Sequence, residues 1–142
     1  MCSGIVHSEI NQTGEPCRLL QIWIEPAQLG IQPSYEQKPF AIGEGWTPLI
    51  EPDATGDAMA IERRVRLWPA QPLRQQHLPL PAAEERWLML QVIDGELTLN
   101  SEGSPKQSLR RGDGVGLSQD AATQGELVGL SERADVLLFA LA

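Results

Sequence analysis

Apolar residues in this chain come in short runs, each closed off by Gly, Pro, Asn or Asp, and almost nowhere at the spacing of a helix. That pattern limits the fold more than any other feature, because strand side chains alternate at every second residue while a helix needs an apolar stripe. The clearest runs are Gly4 to Ile10, Leu19 to Ile24, Ala58 to Ile61, Arg64 to Trp68, Arg86 to Ile93, Glu96 to Asn100, Gly114 to Leu117, Glu126 to Leu130 and Asp135 to Leu141. The 11 prolines and 13 glycines fall mostly between them, where turns need them. An all-β chain is predicted.

Two runs carry more detail. Leu19 to Ile24 is nearly continuous in apolar residues, as expected of a strand buried on both faces. Val65 and Leu67 alternate with Arg64, Arg66 and Trp68, which predicts a strand with the first two inward and the others toward water. Glu25 to Pro48, with Pro26, Pro33, Pro39 and Pro48, reads as an extended linker. Gln71 to Pro81 reads as an exposed proline-rich loop, and Pro81 to Arg86 as one helical turn at most. Asp94-Gly95 between two strands predicts a hairpin, and Arg111-Gly112-Asp113-Gly114 a tight turn before another strand. Hairpins at this spacing suggest a small barrel or jelly roll.

The formal charge of −8, from 11 basic and 19 acidic residues, argues against direct binding to nucleic-acid phosphate. Cys2 and Cys17 make neither a CxxC pair nor a disulfide framework, so free thiols in a reducing cytosol are expected. No apolar run approaches membrane-spanning length and no signal region opens the chain, so a cytoplasmic location without membrane contact is expected.

His7 and Glu9 lie two apart, so on a strand both side chains point to one face and suit a shared metal ion. The commoner meaning of such a pair is two polar residues facing water. The one other histidine, His77, lies in the proline-rich loop, and nothing in the sequence brings it near His7. Gly43-Glu44-Gly45-Trp46 is too short for a dinucleotide loop, and no Gly-x-Ser-x-Gly occurs. Trp23, Trp46, Trp68 and Trp87 are assigned to packing.

Leu90 to Leu99 resembles the end of the first cupin motif, and Arg111-Gly112-Asp113-Gly114 the opening of the second. Gly4-Ile5-Val6-His7-Ser8-Glu9 resembles the end of that second motif in a metal-bearing cupin domain. It is followed by Leu20-Gln21-Ile22-Trp23-Ile24-Glu25-Pro26 and a linker with Pro33-Ser34-Tyr35-Glu36-Gln37. This ordered set resembles the C-terminal part of the pirin family of bicupins. The resemblance implies quercetin 2,3-dioxygenase activity in some bacterial members and nuclear co-regulation of transcription in animal ones. It also implies one iron-type site of three His and one Glu, two of them from an upstream His-x-His and two matching His7 and Glu9.

The resemblance sets the expectations. Residues 1-25 are the closing strands of a truncated first cupin domain, 26-48 the linker, and 49-142 a cupin-type jelly-roll barrel. Counting from Gly112 puts the second domain's metal-histidine position near Thr123, and no His-x-His precedes Asp94-Gly95, so that barrel lacks imidazoles. His7 and Glu9 alone should hold no tightly bound metal, and the chain as given should be non-catalytic. A metal-dependent quercetin 2,3-dioxygenase acting on a flavonoid is the alternative when the upstream domain is present. A homodimer through the N-terminal strands is expected. The predicted core is Val65, Leu67, Leu88, Leu90, Val92, Leu97, Leu99, Val115, Leu117, Val128, Leu137 and Phe139.

Overall fold

A computed structural model describes residues 6–53 and 56–142. Eight strands follow one another: β1 (Val65–Ala70), β2 (His77–Pro79), β3 (Trp87–Asp94), β4 (Glu96–Asn100), β5 (Gln107–Arg110), β6 (Gly114–Ser118), β7 (Glu126–Gly129) and β8 (Asp135–Leu141). A four-residue helix, α1 (Gln119–Ala122), sits between β6 and β7, with the Ser118 side chain accepting from the Ala121 amide. The strands form two sheets, β1-β8-β3-β6 and β2-β7-β4-β5, with every pairing antiparallel.

The pairing has a simple logic. β4 pairs with β5, β3 with β6, β2 with β7 and β1 with β8, as in one long hairpin folded over on itself. The contacts β3–β8 and β4–β7 then knit the folded hairpin into two facing sheets. This is the expected jelly roll.

Asp94-Gly95, however, is a corner and not a hairpin. It joins β3 in one sheet to β4 in the other, and the true hairpin is β4–β5 through residues 101–106. Gly95 takes φ +77°, and a Cβ there would lie 2.6 Å from the Arg133 carbonyl oxygen, so only glycine lets the 131–134 loop pass this close. Arg111 to Asp113 forms the expected turn, Asp113 Oδ2 accepting from the Arg110 amide at 2.9 Å, and it too carries the chain between sheets.

Between the sheets lie Trp68, Ala70, Leu78, Leu80, Leu88, Leu90, Val92, Leu97, Leu99, Leu109, Leu117, Leu127, Val136, Leu138 and Ala140. Six of the expected core residues are here (Leu88, Leu90, Val92, Leu97, Leu99 and Leu117), and Val115 packs against them partly buried. The phase of β1 is the reverse of that expected. Register sets Trp68 opposite Leu138 and Leu67 opposite Phe139, so Arg66, Trp68 and Ala70 face inward while Val65 and Leu67 face out. Val65, Leu67 and Phe139 are still buried, outside the main cluster. β7 and β8 are likewise shifted by one residue: Leu127 and Leu138 fill the core, and Val128 and Leu137 are half-buried on the other face.

Two strands lacked a sequence signal. β2 is only three residues long inside the proline-rich segment, and β5 reads Gln-Ser-Leu-Arg, with a single apolar side chain. The helical turn sits at 119–122 and not at 81–86.

Residues 6–45 form an arm along the barrel. The expected strand at Leu19 to Ile24, and the described part of Gly4 to Ile10, make no ladder here; Gly4 and Ile5 lie outside the described residues. A strand exists only with a hydrogen-bonding neighbour, and no described backbone group pairs with residues 6–24. The arm is tied down at spaced points: Arg18 Nη1 to Asp94 Oδ2 at 3.3 Å, the Ala27 amide to the Glu62 carbonyl at 2.9 Å, and Lys38 Nζ to the Ala58 carbonyl at 3.0 Å. Residues 47–50 then add to the free edge of β1, the Leu67 amide donating to the Ile50 carbonyl at 3.0 Å.

Candidate functional site

His7 and Glu9 do lie side by side, with His7 Nε2 4.0 Å from Glu9 Oε1. Their side chains are 55% and 69% exposed on the arm. Among the described residues no three His, Cys, Asp or Glu side chains gather in a way that could hold a metal ion. One imidazole and one carboxylate in open water do not make a tight divalent site, because most coordination positions go to exchanging water. The donors among the described residues therefore do not by themselves fit the iron-type centre that the motif implies.

His77 is committed elsewhere. It stands on the outward face of β2, its Nδ1 3.1 Å from Glu126 Oε2 on the neighbouring β7, while Asn100 Nδ2 donates to Glu126 Oε1 at 3.1 Å. The His77 ring first, and the Asn100 amide next, hold the Glu126 carboxyl below its ordinary pKa. Thr123 is exposed at the end of α1, its hydroxyl donating to the Gln119 carbonyl at 2.9 Å, and it does not face the barrel.

The buried cluster inside the barrel is hydrocarbon apart from the Trp68 indole N–H. β2 and the residue after it turn Leu78 and Leu80 inward, β3 turns Leu88 and Leu90, and β7 turns Leu127. The buried charge lies at one end, where β1 and β3 begin and β8 finishes. There the Glu85 side chain is fully buried and accepts from Arg66 Nε at 3.1 Å, with Arg64 Nε at 3.7 Å. Arg66 also pairs with Glu51, whose other oxygen accepts from Trp68 Nε1 at 2.7 Å. Burial works against the Arg66 charge, but the hydrogen bonds and charges of Glu85 and Glu51 outweigh it and raise its pKa. Sequence reasoning missed this cluster. The available signal was Arg66 itself, alternating with two buried residues and followed by Trp68. This network binds the 47–51 edge to the barrel end, and nothing in it resembles a nucleophile with a base.

Residues 49–141 match the family described as the quercetinase C-terminal cupin domain. The chain belongs to the pirin family. An Escherichia coli (strain K12) quercetin 2,3-dioxygenase is 31% identical to this pirin-family chain over 128 residues, 89% of the chain and 55% of the relative. A Caulobacter vibrioides pirin-like protein is 50% identical over 42 residues, 30% of the chain and 18% of the relative. The structure of the bacterial pirin YhhW from Escherichia coli in complex with nickel(II) superposes with a TM-score of 0.66 at 27% identity, over 82% of this chain and 47% of that one. The chain thus spans about half the length of the curated relatives that it matches over most of its own length. No described helix of this pirin-family chain is long and apolar enough to cross a membrane.

Proposed function

We propose that this chain is the structural half of a pirin-type bicupin and is non-catalytic by itself. In this reading the apolar barrel serves as a rigid scaffold and interaction module. The arm carries His7 and Glu9 as two ligands of an iron-type centre whose other ligands come from a further cupin domain. The observation that supports it best is the barrel interior, whose buried cluster is built from Leu, Val, Ala and Trp68, while both histidines point elsewhere. Joined to such a domain, the assembly is a metal-dependent quercetin 2,3-dioxygenase that opens a flavonol ring; a relative of that name supports this substrate class. The overall negative charge disfavours direct binding to nucleic acid.

The same arm makes the chain a self-associating one. Leu19, Leu20, Ile22 and Trp23 are 58%, 52%, 44% and 85% exposed, beside backbone with no ladder partner, and such segments pair readily with a second copy. We place the homodimer interface there.

Metal content and quercetin turnover of the purified chain test the catalytic reading. The expected result is metal far below one ion per chain after dialysis, and background turnover. Turnover that depends on added iron or nickel and is lost in Glu9→Ala would favour the dioxygenase for this chain alone.

A further inference from the structure

A groove of about 620 Å³ runs between the arm and the edge of the barrel, away from His7 and Glu9. Its walls are apolar: Ile22, Ile24 and Ile31 from the arm face Ile50, Met59 and Ile61 from the segments beside β1. The arm crosses it as a strap pinned at two points of the 58–62 segment. At one the Ala27 amide donates to the Glu62 carbonyl at 2.9 Å, and at the other Lys38 Nζ donates to the Ala58 carbonyl at 3.0 Å. Between the pins the strap turns at Gly30, with φ +76° and open space around the Cα, so the crossing is not jammed against the barrel.

We propose that this strapped groove is a binding site for a neutral aromatic molecule of drug-like size. Its volume falls within the range of small-molecule pockets, and its mostly apolar walls with a polar rim match their usual make-up. Charge at the mouth is balanced. Glu36 is paired with Lys38 at 2.9 Å, and Glu62 stands next to Arg63, so no net field selects an ion. Met59 and Tyr35 favour a ring over an aliphatic chain, the first through its sulfur and the second through its face. The Tyr35 hydroxyl donates to Gln37 Oε1 at 2.6 Å, and its ring, 82% exposed at the mouth, keeps a free face. This inference goes beyond the proposed function and does not rest on its catalytic reading: the groove shares no residue with the metal ligands, and Ile22 is the one wall residue that also lies in the proposed dimer segment.

The test uses the full chain and the neutral dye Nile red. The expected result is saturable binding of one dye per chain, with fluorescence gain and with shifts confined to groove methyls such as those of Met59 and Ile61 in NMR spectra. Ile61→Glu, which puts a charge into the apolar wall, should weaken binding by about tenfold or more, while Ile61→Leu retains it. Leu130→Ser, half-exposed after β7 and outside both the groove and the arm, should leave it unchanged. If Ile61→Glu fails to fold, the methyl shifts in the unmodified chain decide. Non-saturable binding, loss in Leu130→Ser but not in Ile61→Glu, or exclusion of the dye as the chain self-associates would overturn the proposal; the last would make the groove an interface with a second copy.

Discussion

Arg66 donates through Nε to Glu85 Oε1 across 3.1 Å, and Glu85 is the one fully buried charged side chain among the described residues. Its second oxygen, Oε2, has no protein donor, so the compensation of this charge rests on Arg66 and, at 3.7 Å, on Arg64. Removing one partner of a buried pair leaves the other uncompensated in a poorly solvated place.

Arg66→Ala should therefore cost roughly 3–5 kcal/mol of stability in chemical denaturation. The double change Arg66→Met with Glu85→Leu should recover much of that loss, because hydrocarbon of similar size needs no compensating charge. A single-variant cost below about 1 kcal/mol would mean that Arg64 or water satisfies Glu85 without Arg66.

Gly129 lies in β7 where the 73–76 loop crosses it. The Gly129 amide donates to the Gln76 carbonyl at 3.1 Å, and its carbonyl accepts from the Gln75 amide at 2.8 Å. An added Cβ would sit 2.0 Å from the Leu73 carbonyl oxygen, which is backbone and cannot swing aside. Gly129→Ala should cost about 1–3 kcal/mol and lower the melting temperature by several degrees. Gly116→Ala, where a Cβ meets nothing within 4 Å, serves as the control and should be near neutral.

Glu126 should titrate below its ordinary value of 4.5, chiefly because of the bond from His77. The sign follows from linkage: a carboxyl with a lowered folded pKa stabilises the fold above its unfolded value and loses that contribution as pH falls through the folded one. The window is thus the acid side of about pH 4.5. Carboxyl NMR titration should show the Glu126 midpoint rising toward the ordinary value in His77→Ala, and rising less in Asn100→Ala. An unmoved midpoint in His77→Ala would dissolve the pair.

Light scattering at micromolar concentration should find a dimer or larger assembly. Covering one large apolar side chain is worth roughly 1.5–3 kcal/mol, so burying several on the arm outweighs the screened repulsion between two acidic chains. Leu20→Ser with Trp23→Ser should shift the population to monomer. A clean monomer of the unmodified chain would refute the arm as an interface.

The short punctuated apolar runs determined the all-β class and six of the eight strands to within a residue or two, because alternation and turn chemistry are local. They also determined the leucines of β3 and β4 that fill the barrel. The pirin motifs in order, from His7 to Asp113, determined the family. The sequence could not say which face of β1 was inside, since Val65, Arg66, Leu67 and Trp68 leave both phases with something to bury. Tertiary structure decided it: an acidic pair, Glu51 and Glu85, waits at the barrel end to neutralise Arg66, and the outer leucine finds the edge segment at Ile50. Asp94-Gly95 became a corner rather than a hairpin because β3 and β4 each had better neighbours in opposite sheets. The fate of His7, Glu9 and His77 was likewise not local. Spacing alone can put two donors on one face, but a metal shell needs donors from distant segments to converge, and only the folded chain shows where each one points.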